Sequence, residues 1–184
     1  MSSTETMLVW IEHVIWHPGD DWDAAVRALA ERFSRAMPLD DEEVRSAGAL
    51  HHQVDHLQRW AGRASVDLNR ELGRWMDEHA ARFVRPDPRV TRALRALVAA
   101  GCSVDLVSAL PPRAAEAIAH HAGCRRSARQ VHGLVTTSDD AAALEHLVQC
   151  SIVVAALPTP IPAEVAPITL HEATMARAAN TSHH

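Results

Sequence analysis

Residues 86 to 123 read Pro86-Asp87-Pro88-Arg89-Val90-Thr91-Arg92-Ala93-Leu94-Arg95-Ala96-Leu97-Val98-Ala99-Ala100-Gly101-Cys102-Ser103-Val104-Asp105-Leu106-Val107-Ser108-Ala109-Leu110-Pro111-Pro112-Arg113-Ala114-Ala115-Glu116-Ala117-Ile118-Ala119-His120-His121-Ala122-Gly123. Asp87 is a side-chain cap and Pro88 suits the first helical position, where its missing N–H costs no hydrogen bond. Val90, Leu94, Leu97 and Val98 then share one face, and Gly101 stops the helix. Residues 103–108 are a short apolar run ending in Ser108, which reads as a buried strand. Pro111 and Pro112 open another helix, and Gly123 ends it. Helix, strand and helix in this order imply an α/β protein with a parallel sheet.

The flanks extend the same reading. Downstream, residues 131–135 form a short strand, Ser138 caps a helix running to about residue 150, and residues 152–156 form a continuous buried strand. A proline-rich loop at 157–162 leaves the sheet, and a last helix is expected over 171–178. Upstream, residues 7–16 form an apolar run with Trp10 and Trp16, read as the first strand, and the turn at 17–20 closes it. From there Trp22, Ala25, Val26, Leu29, Phe33 and Met37 recur at helical spacing until Pro38. Asp40 with Glu43 is a capping signal for a second helix, and two more follow near 50–60 and 66–84. Residues 22–84 are therefore an all-helical insertion. There are no internal repeats. The terminal His183-His184, native or tag, is set aside with the frayed end.

Composition excludes several functions. The 184 residues are 47% hydrophobic, enough for one core with a small insertion. The formal net charge is −5 and the 18 basic residues are scattered, so no face suits a nucleic-acid backbone. All of them are arginine, and without lysine neither a Schiff base nor a Walker loop is available. Cys102, Cys124 and Cys150 lack Cys-x-x-Cys spacing, which argues for reduced thiols rather than a disulfide framework or a structural zinc. No apolar run reaches membrane-spanning length and no leader is evident. The expectation is a cytoplasmic protein with a small-molecule substrate or ligand and without nucleic-acid or membrane partners. A homodimer stays open.

The strand closed by Ser108, set between the two helices, resembles the middle of a haloacid dehalogenase-like (HAD) hydrolase. The resemblance implies a Rossmannoid parallel sheet with helices on both faces, residues 1–21 and 85–180 forming the core and 22–84 an inserted helical cap. It also implies that Ser108 binds a substrate phosphate. The first strand of that family ends in an Asp-x-Asp pair that supplies nucleophile and acid/base. Here Leu8-Val9-Trp10-Ile11-Glu12-His13-Val14-Ile15-Trp16 contains no aspartate. One register places Ile11 and His13 at the pair, and a shift of one places Glu12 and Val14 there. Neither restores two carboxylates two residues apart, so a degenerate member is expected, without a cofactor and with magnesium disfavoured. For the family's third motif Arg125, Arg126 and Arg129 lie in the right order. The segment 133–144 resembles its acidic loop, with Asp139 and Asp140 at the helix start, where capping alone also explains them.

Ligands of parallel sheets gather beyond the carboxyl ends of the strands, which directs attention to residues 12–16. His13 is the leading catalytic candidate, because imidazole moves protons near neutral pH, and Glu12 beside it is the second. Strand alternation sets the two on opposite faces unless the strand ends or bulges there. Ser108, Trp16, Asp140 and Arg125 complete the expected substrate-binding set. His52 and His56 have one-turn spacing but no third metal ligand in view, and Cys124 has no assignable partner base. The functional expectation is a repurposed small-molecule enzyme using acid/base or binding chemistry between cap and core. A non-catalytic ligand- or protein-binding relative and a magnesium-dependent phosphatase are the alternatives.

Overall fold

A computed structural model describes residues 6–12, 14–35, 37–133, 151–154 and 168–181. Among the described residues four parallel strands make one sheet in the order β3-β2-β1-β4. They are β1 (Thr6–Trp10), β2 (Ser103–Val107), β3 (Gln130–His132) and β4 (Ser151–Val154). β1 lies between β2 and β4, with Val9 opposite Leu106 and Val154. Met7, Val9, Ile11, Val104 and Leu106 are fully or almost fully buried and belong to one continuous core.

The reading of 86–123 is realised almost residue for residue. Asp87 accepts from the Arg89 backbone N–H, Pro88 opens α5 (Pro88–Ala99), and Gly101 adopts φ +86 after its last turn. That left-handed backbone is cheap for glycine alone, which is why the helix can stop and turn into β2 within a few residues. α6 (Pro112–His121) begins at the proline pair, and Gly123, at φ +73, follows it.

Between β1 and α5 the chain forms α1 (Asp20–Phe33), α2 (Asp41–Ser46), α3 (Leu50–Ala64) and α4 (Leu68–Phe83). The apolar stripe of α1 lies as its spacing predicts, with Trp22, Ala25, Val26 and Leu29 buried and Phe33 and Met37 packed against the core. Asp40 caps α2 by accepting from the Glu42 and Glu43 backbone N–H groups. α4 packs along α6 at very close range: a Cβ on Gly73 would collide with the Arg113 Cβ. Asn69 reinforces this contact, its Oδ1 accepting from the Arg113 backbone N–H at 2.9 Å. One of the unpaired donors in the first turn of α6 is thus satisfied by a different helix. A further helix, α7 (Leu170–Thr181), packs against α5.

The first strand is shorter than the apolar run suggests. It ends at Trp10, one more sheet bond runs from the Ile11 N–H to the Val107 carbonyl, and the chain then curls. The N–H groups of Ile15 and Trp16 both donate to the Ile11 carbonyl at 2.9 Å. The chain thus turns back on Ile11 at Ile15 and Trp16 instead of continuing as strand, since beyond the sheet edge these backbone groups must pair locally. Of the strand expected at 131–135, Gln130–His132 is observed, and positions 134 and 135 lie outside the described residues together with the helix expected from Ser138 to about residue 150.

Candidate functional site

The carboxyl ends of β1, β2 and β3 come level at Ile11, Ser108 and Gly133, because the Ser108 N–H donates to the His132 carbonyl while that of Ile11 reaches Val107. The curl after Ile11 releases Glu12 from strand alternation and turns its side chain toward β2. Its Oε1 accepts from the Ser108 hydroxyl at 2.5 Å and from the Ala109 backbone N–H at 3.1 Å. Ser108 Oγ in turn accepts from the Leu110 N–H at 3.0 Å. Glu12 is 3% exposed and Ser108 fully buried, and Glu12 Oε2 has no hydrogen-bond partner among the described residues. Removal from water dominates the carboxyl and pushes its pKa from 4.5 up to about 7, against the opposing pull of the Ser108 and backbone hydrogen bonds.

Gly133 holds this arrangement from the side. A Cβ there would lie 2.5 Å from Pro112 N and 2.6 Å from the Leu110 carbonyl oxygen. The loop bearing Ser108, Ala109 and Leu110 can close on the end of β3 only because no side chain intervenes.

The other expected site residues lie elsewhere or outside the described part. Trp16 is buried and donates its indole N–H to Asp21 Oδ2 at 2.7 Å. Arg125 bonds Glu116 Oε2 at 2.6 Å and the Ala128 carbonyl, and Arg129 forms a two-pronged pair with the buried Asp105. None of them is bonded to Glu12 or Ser108. His13 and Asp140 fall outside the described residues. His56 lies 3.8 Å from Glu43, and the described residues contain no group of three or more metal-ligating side chains. Cys124 is buried and its thiol is pushed up to about 11 by desolvation, the wrong direction for a nucleophile.

The sequence named both Glu12 and Ser108 as site residues but not their direct hydrogen bond, and it ranked Glu12 second because strand alternation turns it away from His13 unless the strand ends or bulges there. Asp105 and Gly133 were also overlooked, and Asp105 carried a visible mark as a single charge inside an apolar strand.

This architecture has counterparts among solved structures. A predicted phosphoglycolate phosphatase from Haemophilus somnus superposes with a TM-score of 0.51 at 14% identity, over 84% of this chain and 77% of that one. CbbY from Rhodobacter sphaeroides, solved with phosphate, gives 0.51 at 15% identity over 82% and 77%. The chain has the HAD-like fold. No protein-family model and no curated protein matches the sequence, so at these identities the likeness carries the fold and not the activity.

Proteins of this fold commonly use magnesium. Around Glu12 the described groups are the Ala109 and Leu110 N–H donors and the Ser108 hydroxyl, which donates to Glu12 while its oxygen accepts from Leu110. A magnesium ion needs several oxygen ligands, so the described residues alone do not form a cradle for it. The site as described joins a carboxyl with a pKa raised to about 7 to a hydroxyl and a backbone N–H that both donate to it.

Proposed function

We propose that this chain is a small-molecule enzyme on a HAD-like scaffold in which Glu12 provides the acid/base group at the end of β1. Residues 22–84 act as a helical cap on the α/β core. Ser108 and the Ala109 N–H hold a ligand oxygen, and His13 assists proton transfer from the same turn, with Asp140 across the cleft. The observation that carries the proposal is the 2.5 Å contact between Glu12 Oε1 and Ser108 Oγ, which unites the sole carboxylate of this turn with the serine closing β2. A carboxyl with a pKa of about 7 has both protonation states populated at neutral pH, so it can give and take a proton without a metal.

Two further readings have specific support. The likeness to structures named as phosphatases favours a magnesium-dependent phosphatase, with Glu12 in the nucleophile's place by the register that pairs it with Val14. The sealing of Glu12 and Ser108, with α4 locked onto α6 through Asn69, favours a non-catalytic binding protein.

The deciding experiment is a turnover panel of small esters, 2-haloacids and phosphate monoesters, with and without magnesium, on the native chain and on Glu12→Gln and Ser108→Ala. The proposal expects metal-independent turnover with an apparent pKa near 7, abolished in Glu12→Gln. No magnesium-dependent hydrolysis of generic phosphate monoesters is expected. Robust magnesium-dependent phosphatase activity lost in Glu12→Gln would establish the second reading. No turnover of any class would leave the binding protein as the correct one.

A further inference from the structure

Between residues 85 and 129 the chain carries eight arginines and three carboxylates, against a formal net charge of −5 for the whole sequence. Each of the three carboxylates is already engaged. Asp87 pairs with Arg89 at 3.1 Å, Glu116 with Arg125 at 2.6 Å, and the buried Asp105 with Arg129. Positive charge in this segment is therefore in surplus. Arg92 and Arg95, three positions apart on one face of α5, belong to that surplus. Both are exposed, and neither has a hydrogen bond or an ion pair among the described residues.

These two arginines border a groove of about 460 Å³, whose other walls are Pro86, Pro88 and Thr91 on the α5 side and Gly123 after α6. Among the described residues no carboxylate lines it. The groove between α1 and α4, by contrast, holds Glu31 and Glu71, and the one beside α6 holds Asp77 and Glu116. Asp87, the acid nearest in sequence, is held by the backbone N–H, Nε and Nη2 of Arg89. The Thr91 hydroxyl donates to the Asp87 carbonyl at 3.1 Å, which leaves the two guanidiniums as the side-chain donors of the groove.

We propose that this groove binds a small organic phosphate monoester, its dianionic head between Arg92 and Arg95 and its organic part against Pro86 and Pro88. Guanidiniums present planar pairs of N–H donors that match phosphate oxygens, and two of them balance a dianion. The volume is that of a site for a whole organic ligand rather than a bare ion. A monocarboxylate supplies one charge and leaves one guanidinium unmatched. None of the groove's residues bonds to Glu12 or Ser108, so the site is independent of the chemistry assigned there.

Calorimetric titration of the full chain with phenyl phosphate, in chelator and without magnesium, tests this. Inorganic phosphate, which lacks the organic part, and benzoate, which carries one charge, are the comparison probes. Saturable one-to-one binding of phenyl phosphate is expected, weakened about tenfold by Arg92→Gln and again by Arg95→Gln, the lower end of the range for a lost charge-assisted hydrogen bond. Both side chains are exposed, so these replacements leave the fold in place. Arg113→Gln makes the same change of charge at an exposed arginine that lines another groove and pairs with Asp77, and it should leave the affinity as it was. Absence of saturable binding up to about 10 mM, unchanged affinity in Arg92→Gln and Arg95→Gln, or an equal loss in Arg113→Gln overturns the proposal. So does binding of inorganic phosphate or benzoate as tight as that of phenyl phosphate.

Discussion

At the residue scale the decisive group is Glu12, whose carboxyl is buried beside Ser108 and holds its proton to about pH 7. Below pH 4.5 the group is protonated in folded and unfolded chains alike and contributes no penalty. As pH rises from there to about 7, the unfolded chain releases the proton first, so stability falls. Above that range the folded chain carries a buried charge at a cost of roughly 3 kcal/mol. Denaturant melts at pH 5 and pH 8 should show this loss. Glu12→Gln, which keeps an acceptor for Ser108 and Ala109, should flatten the dependence and be the more stable form at pH 8. Ser108→Ala removes a bond that favours the ionised form, so the Glu12 carboxyl should titrate higher still, as read by carbon-13 NMR. A lower value in that variant would contradict the observed bond.

At the scale of elements, two glycines govern how pieces meet. Gly133→Ala places a methyl group against backbone at Leu110 and Pro112, which cannot move aside as a flexible side chain can. The expected cost is about 1 to 3 kcal/mol by denaturant melt, together with a displaced Glu12 titration, because the loop bearing Ser108 must retreat. Gly73→Ala should force α4 away from α6, where Arg113 presses on it. Asn69→Ala deprives the start of α6 of an acceptor and should cost about 1 kcal/mol, the usual magnitude for a lost helix cap. If Asn69→Ala leaves stability unchanged while Gly73→Ala does not, close packing rather than the cap holds the two helices together.

At the scale of the whole molecule, Cys102 and Cys124 are both buried and burial raises both thiols. In the native chain they should react with a thiol reagent far more slowly than after unfolding, and native-state labelling at the unfolded rate would show that α5 and α6 open readily. No helix among the described residues is long and apolar enough to cross a membrane. Ser108 is fully buried and its hydroxyl is donated to Glu12, so a ligand that bonds this hydroxyl must displace Glu12.

Much of the architecture is local and was legible in the chain itself. Asp87 with Pro88, the stops at Gly101 and Gly123, the stripe of α1 and the cap at Asp40 each depend on neighbours within a turn or two, so their chemistry can be read in order. The apolar run ending in Ser108 likewise had to be a buried strand. The end of β1 was not legible, because an apolar run looks alike in a strand and in the turn after it. Only the point at which neighbouring strands stop offering bonds decides the matter. That tertiary fact turned Glu12 toward Ser108, 96 positions away in sequence. It also gave the carboxyl its raised pKa, since desolvation depends on what surrounds a group and not on its neighbours in the chain. The need for glycine at position 133 arises in the same way, from contacts that exist only once distant segments pack together.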